Sequence, residues 1–311
     1  MAKILITESV HPIGPELLTA AGHTVVYADR DMDVIRREIV DADAVLVRII
    51  ELPGSLLATA KNLKIVSKHG VGYDNIDLDY CKKAGVAVTI TPNANSLSVA
   101  EHAFTLMLTL AKNVIPVSNE YRSIGFAAKN HAPGIEMTGK TLGLIGMGRI
   151  GKHILHMCRD GLDMHVIVYD PYITEVPAGV EKVDDLSELL RRADVVTLHC
   201  LLTDETRKLI DRERLALMKP TALLINCARG PIVDEAALIE ALENGRLAGA
   251  GLDVTDPEPV APDSPLFKLP NVIVTPHYAP TTVESATRVS KIAAENISAV
   301  LAGKEPVGRI V

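Results

Sequence analysis

Short aliphatic runs alternate with amphipathic stretches along the whole chain, and that alternation leaves few folds open. The runs over residues 4–6, 24–27, 44–47, 64–66 and 86–90 have the length and continuity of parallel strands buried on both faces. Between them, 15–21, 32–40, 56–60 and 77–84 carry helical periodicity. Such alternation implies a doubly wound parallel α/β sheet. The rhythm breaks at 96–112, where Val99, Ala103, Leu106, Met107 and Leu110 recur at helical spacing. This predicts a long buried helix crossing between domains, opened by a capping box of Ser98 with Glu101. Residues 113–138 have weak periodicity and read either as a long surface segment or as a dimer arm. A second series begins at Thr141, with strands over 142–145, 165–169, 195–199, 222–226, 250–253 and 272–274. Its helices fall at 149–158, 185–192, 212–218 and 235–243. A last helix over 283–301 is long enough to pack back on the first sheet. The expected plan is a discontinuous domain, 1–97 with 284–311, interrupted by a second doubly wound domain over 98–283.

The chain's 311 residues suffice for two such cores. A net charge of −7 and the lack of any basic block argue against nucleic acid as a partner. No Trp and three Phe leave little material for base stacking or an interfacial aromatic belt, and no apolar run is long enough to span a bilayer. The opening Met1-Ala-Lys-Ile-Leu-Ile-Thr reads as strand, without the pattern of a signal peptide. Cys81, Cys158, Cys200 and Cys227 form no C-x-x-C pair, so neither a metal site nor a disulfide framework is expected. The chain reads as cytoplasmic, with reduced thiols.

The sharpest motif is Gly146-Met-Gly148-Arg-Ile-Gly151, placed directly after one strand and opening the next helix. In that context the first glycine permits a tight turn, the second a close backbone approach to a pyrophosphate, and the third close helix–strand packing. A carboxylate at the end of the following strand should bind the ribose hydroxyls, and Asp170 stands there. A carboxylate would also repel a 2′-phosphate, so NAD is expected over NADP.

A second signal is scattered. Asn226-Cys-Ala-Arg229-Gly, Asp253-Val-Thr-Asp-Pro-Glu258-Pro and Pro276-His277 each follow a predicted strand of the second sheet, where ligands of open α/β sheets bind. An Arg, a Glu and a His converging there suit a 2-hydroxy or 2-oxo acid. The Arg would hold the carboxylate and polarise the carbonyl, the His would exchange the alcohol proton, and the Glu would support the imidazolium. The same residue types also occur as ordinary surface groups or ion pairs, and the residues alone leave both readings open.

These segments, together with Lys68-His-Gly-Val-Gly-Tyr-Asp-Asn-Ile-Asp77, Ser98-Val-Ala-Glu-His102 and Gly249-Ala-Gly-Leu-Asp253, occur in an order that resembles the D-isomer-specific 2-hydroxyacid dehydrogenases. The likeness runs nearly end to end and is strongest to the D-3-phosphoglycerate dehydrogenase-like branch. It implies a Rossmann NAD-binding domain inserted into a flavodoxin-like substrate domain, and a homodimer formed through the nucleotide domains. It implies Arg229, Glu258 and His277 as the catalytic set. It places Arg149, Ile150, Asp170, Cys200, Cys227, Ala228, Arg229 and Asp253 against NAD, and the Val71-Gly72 backbone against the substrate carboxylate. Arg48 and Lys68 stand where phosphate-using relatives carry basic residues. They either receive a second anionic group or are two solvated surface cations. His69, His102 and Tyr73 read as structural.

Leu201, Phe126 and Tyr278-Ala-Pro280 depart from the family's usual residues, the last beside the expected nicotinamide site. The substrate is therefore open: glyoxylate or hydroxypyruvate competes with the phosphorylated acid. A non-enzymatic NAD(H)-sensing corepressor is the alternative of another class. The chain ends at Val311 soon after the last helix, so no C-terminal regulatory domain is expected.

Overall fold

The computed structural model describes residues 1–311, which divide into two compact units, 1–95 with 281–311 and 96–280. The first unit contains β1 (Lys3–Ile6), α1 (Ile13–Ala20), β2 (Thr24–Tyr27), α2 (Met32–Glu38), β3 (Ala44–Val47), α3 (Gly54–Leu57), β4 (Ile65–Lys68), α4 (Leu78–Ala84) and β5 (Ala87–Thr89). Its five strands are parallel, in the order β2-β1-β3-β4-β5, so the winding reverses between β1 and β3. Ile4, Leu5, Ile6, Val45, Leu46, Ile65 and Val66 are wholly buried, as strands covered on both faces require.

The second unit contains α5 (Ser96–Ala111), α6 (Val114–Ile124), β6 (Thr141–Ile145), α7 (Arg149–Leu162), β7 (His165–Tyr169), β8 (Val180–Lys182), α8 (Leu186–Arg192), β9 (Val195–Leu198), α9 (Arg212–Leu217), β10 (Leu223–Asn226), α10 (Glu235–Glu243), β11 (Gly249–Leu252) and β12 (Val272–Val274). Its seven parallel strands run β12-β11-β10-β9-β6-β7-β8, reversing between β6 and β9. The last helix, α11 (Val283–Leu301), belongs to the first unit and packs on α1 and β4.

Side-chain caps set most helix starts. Asp31, Asp77, Asp185, Asp211 and Asp234 each accept a backbone N–H from the first turn that follows, and Thr282 does so for α11. Each such cap is worth about 1 kcal/mol.

The structure corrects several sequence expectations. Ser98 is the third residue of α5, inside the helix, so the capping box expected at Ser98–Glu101 does not form. The strand expected at 64–66 runs instead to Lys68, which puts Lys68 at a strand end. Strand β8 and helix α6 lie outside the elements that the sequence predicts. The former has one aliphatic residue in three, and the latter buries no residue at all within the chain.

Helix α5 packs on α7, β10 and β11, with Val99, Ala103, Leu106 and Met107 buried. The approach needs glycine in β11: a Cβ on Gly251 would lie 3.0 Å from Leu106 Cβ and 3.1 Å from Ile225 Cδ1. That is a packing reason for the Gly249-Ala-Gly251 motif.

Candidate functional site

The C-terminal ends of β10, β11 and β12 bring together the Arg, Glu and His that the sequence left scattered. Arg229 follows β10. Its loop is braced by Asn226, 1% exposed, whose Nδ2 donates to the Arg229 carbonyl at 2.9 Å while its Oδ1 accepts the Ala228 N–H at 3.0 Å. The Arg229 Nη1 donates to the Ala228 carbonyl at 2.7 Å.

Glu258 lies on the loop after β11. That loop is fixed by Glu235, at the start of α10, which accepts the Asp256 N–H at 3.0 Å, and by the Thr255 hydroxyl, which donates to the Pro257 carbonyl at 2.8 Å. Burial holds the Glu235 carboxyl above its ordinary value. The two loops touch through their backbones. A Cβ on Gly230 would lie 1.9 Å from the Thr255 carbonyl oxygen and 2.9 Å from the Asp256 nitrogen.

His277 follows β12 in a left-handed conformation, φ 52°, that costs a non-glycine residue energy and persists only when its surroundings impose it. Asp253, 1% exposed, imposes it. Its carbonyl accepts the His277 N–H at 2.8 Å, its Oδ1 accepts the Tyr278 N–H at 2.7 Å and the Thr275 hydroxyl at 2.6 Å, and its Oδ2 accepts the Ala279 N–H at 2.9 Å. His102 of α5 completes the network, its Nε2 lying 3.0 Å from Thr275 Oγ1. The imidazole is thereby turned toward Glu258, with Nδ1 2.6 Å from Oε1. Both side chains keep about a third of their surface open, 31% for His277 and 36% for Glu258.

With Nδ1 engaged by a carboxylate, the other ring nitrogen, Nε2, is left to exchange a proton with a ligand. A half-buried guanidinium, an oriented imidazole and a carboxylate can bind an anionic acid and move a proton at its oxygen.

A second cluster lies at the reversal point of the same sheet. Gly148 is the N-cap of α7, and a Cβ there would meet no atom within 4 Å, so open space faces the helix N-terminus. Gly146, φ 89°, and Gly151 have no such room. Their Cβ atoms would fall 2.8 Å from the Cys200 nitrogen and 2.3 Å from the Gly146 carbonyl oxygen. Asp170, just past β7, accepts the Met147 N–H at 2.9 Å and the Tyr172 N–H at 3.0 Å, and so ties the glycine loop to the neighbouring strand end. Arg149 and Ile150 are the first residues of α7, the former exposed and the latter half-buried. The free N–H groups of this helix start, an open approach at Gly148 and an adjacent carboxylate fit a dinucleotide. Burial pushes the Cys200 thiol up to about 11 and the Cys227 thiol well above its ordinary value, so neither side chain is a thiolate nucleophile.

The remaining expected residues lie in the first unit. Arg48 directly follows β3, Lys68 ends β4, and Val71 and Gly72 belong to the half-buried loop beyond it. Lys68 is not a solvated cation. It is 7% exposed, and its ammonium donates to the Arg48 carbonyl and to Asn75 Oδ1.

Sequence reasoning missed Asn226 and Glu235 as braces, and missed what Gly230 and Asp253 do for the loops. A buried Asn closing an aliphatic strand was a visible signal for the first. Contacts between loops far apart in sequence left none.

Residues 104–279 match the family model described as D-isomer specific 2-hydroxyacid dehydrogenase, NAD binding domain. Over 308 residues, 98% of its length, the chain is 42% identical to the D-3-phosphoglycerate dehydrogenase of Methanocaldococcus jannaschii, covering 58% of that protein. It is 37% identical to the glyoxylate reductase of Thermofilum pendens over 98% of the chain and 93% of the relative. Among solved structures, a D-lactate dehydrogenase from Aquifex aeolicus, complexed with NAD and lactic acid, superposes with a TM-score of 0.88 at 32% identity, covering 96% of each chain. The chain thus spans little more than half the length of some curated relatives and nearly all of others.

Proposed function

Since the chain belongs to the D-isomer-specific 2-hydroxyacid dehydrogenases, we propose that it is an NAD-dependent oxidoreductase interconverting a small D-2-hydroxy acid and its 2-oxo acid. The observation that carries this reading is the 2.6 Å His277–Glu258 pair, on loops after β11 and β12, next to the strand end that Arg229 follows in the family's NAD-binding domain. Bound NAD would supply the acceptor for the hydride at C2 of the hydroxy acid and, as NADH, the donor for the oxo acid. The helix start at Gly148 and the Asp170 carboxylate would hold its pyrophosphate and ribose, with Arg149, Ile150, Cys200, Cys227, Ala228 and Asp253 along its length. In oxidation, His277 Nε2 takes the hydroxyl proton as the C2–H bond breaks, and the alcohol becomes a carbonyl. In reduction, the protonated ring donates to the carbonyl oxygen. Glu258 fixes the ring and stands against the positive charge it then carries. Arg229 binds the acid's carboxylate and stabilises charge developing on the oxygen, an effect that often supplies several kcal/mol.

From the first unit, Arg48, with Lys68 behind it, and the backbone of Val71 and Gly72 would receive the anionic groups of the acid. The Arg48 guanidinium at that sheet's reversal point favours a substrate with a second anionic group, 3-phosphoglycerate foremost. A screen of 3-phosphoglycerate, D-glycerate, D-lactate, hydroxypyruvate and glyoxylate with NAD(H) tests this. Turnover of the phosphorylated acid well above the rest is expected. Turnover confined to glyoxylate and hydroxypyruvate would move the assignment to a reductase of those acids, and turnover of none would sink the reaction.

The cofactor site has a separate test in Gly148→Ala. Because the added Cβ meets open space, the melting temperature should stay within about 2 °C of the parent. NADH affinity should fall about tenfold or more, because the methyl stands where the pyrophosphate must approach. Unchanged affinity would remove Gly148 from the site.

The proposed assembly is a cytoplasmic homodimer through the second unit. Val114, Ile115, Tyr121 and Ile124 on α6, with Phe126 just beyond it, are all exposed. An amphipathic helix with no buried face in its own chain is suited to cover one elsewhere. No helix is long and apolar enough to cross a membrane.

A further inference from the structure

At the reversal point of the first sheet, a group of buried side chains closes on the backbone of residues 48–50. Glu8, two residues past β1 and 1% exposed, turns its carboxylate onto this segment. Its Oε2 accepts the Arg48 N–H at 2.8 Å, its two oxygens lie 3.1 and 3.0 Å from the Ile49 nitrogen, and Oε2 lies 3.5 Å from the Ile50 nitrogen. The Thr7 hydroxyl donates to the same oxygen at 3.0 Å. The carbonyls of the segment are taken by other side chains. Lys68 donates to the Arg48 carbonyl and, at 2.6 Å, to Asn75 Oδ1, and Asn75 Nδ2 donates to the Ile50 carbonyl at 2.7 Å.

The two edges of a three-residue loop are therefore held by a carboxylate, an ammonium and an amide, in place of a helix or sheet ladder. Burying such charges is a poor way to gain stability, because apolar residues of similar size generally serve as well or better. What the group does fix is the direction in which Arg48 leaves β3. The Arg48 Nη1 then donates to the Ser9 carbonyl at 2.9 Å, so the guanidinium stands across the ends of β1 and β3, where a doubly wound sheet takes its ligand.

We propose that Glu8, Lys68 and Asn75 are positioning residues for substrate selection. They hold residues 48–50 so that Arg48 reads a second anionic group on the acid, and Lys68 acts through this segment and not on the substrate. The inference rests on Arg48 as an anion contact in the reaction proposed above. It adds that selectivity for the anion is built by a carboxylate, Glu8, that does not itself touch it.

The test is Glu8→Gln, which keeps the side chain's size but puts an amide where backbone donors converge. Two quantities are read on the NADH-loaded protein, in which a hydroxy acid binds without being oxidised. One is hydrogen exchange at the amides of residues 48–50, and the other is the ratio of dissociation constants for D-glycerate and 3-phosphoglycerate. Exchange should accelerate about tenfold or more, and the preference for the phosphorylated acid should fall by about the same factor, as expected when a binding group is misplaced by an ångström or less. Affinity for D-glycerate should change less than threefold.

Lys68→Met serves as the second variant should Glu8→Gln fold poorly, and should move both readouts together. Loss of preference in Lys68→Met with unchanged exchange at 48–50 would mean that Lys68 touches the substrate directly, and would overturn the proposal. So would accelerated exchange in Glu8→Gln with the preference intact, or a parent protein with no preference at all. Turnover is not part of either readout. An inactive protein that still favoured the phosphorylated acid would refute the reaction and leave this positioning role standing.

Discussion

His277→Ala is expected to lower turnover by about 10²–10⁴-fold, the usual worth of a positioned general acid–base, while NADH binds within threefold of the parent. The magnitude follows from how completely the ring is prepared. Its backbone is held at φ 52° by Asp253, and its Nδ1 is bound by Glu258, so one nitrogen is left for the substrate oxygen. Removing the ring removes the proton acceptor without touching the glycine loop or Asp170, which lie at the reversal point of the sheet, between β6 and β9, while His277 follows the edge strand β12. Steady-state kinetics in both directions, paired with NADH fluorescence titration, check it. A variant retaining most of its turnover with normal NADH affinity would show that another group carries the proton.

Gly230→Ala should do nearly as much damage by a different route. The new methyl would lie 1.9 Å from the Thr255 carbonyl oxygen and 2.2 Å from its carbon. These are backbone atoms, with no side-chain rotation to relieve them, so one loop must move. Overpacking of this kind costs about 1–3 kcal/mol of stability. The displacement falls on Arg229, the preceding residue, and on the loop that carries Glu258, so an activity loss of about 10²-fold is expected, since errors of an ångström are costly at a reacting centre. Thermal denaturation and kinetics on the same preparation separate the two effects. Parent-like values of both would mean that the loops are not in contact in solution.

How much of this was legible beforehand depends on the kind of signal. Strands buried on both faces announce themselves as unbroken aliphatic runs, which is why the two sheets could be read off residues such as Ile4–Ile6 in β1 and Leu142–Ile145 in β6. Arg229, Glu258 and His277 could be found because each follows such a run, and parallel strands put their ends on one edge. Helix α6 escaped because its apolar residues face outward, so no buried stripe betrays it. Strand β8 escaped because an edge strand of Val180-Glu-Lys182 has too little pattern to stand out. The braces were invisible for a different reason. Asn226 acts within three residues, but Glu8 reaches across forty, and Glu235 across twenty-one, to backbone groups that carry no side-chain signature. For Lys68 the sequence leaves a solvated cation and an anion contact equally open, and only the fold removes the first, by showing a carbonyl and an amide that take its ammonium.

The division of the chain into two units bears on how such a protein can diversify. Arg229, Glu258 and His277, with every brace that aims them, fall within 96–280, while Glu8, Arg48, Lys68 and Asn75 fall within 1–95. With the roles proposed above, substitutions in the first ninety-five residues would accumulate without passing through the groups that move the proton, and acid preference and bond chemistry would be heritable as separate traits. A lineage could then exchange one acid for another by drift in the smaller unit while its reaction stayed the same.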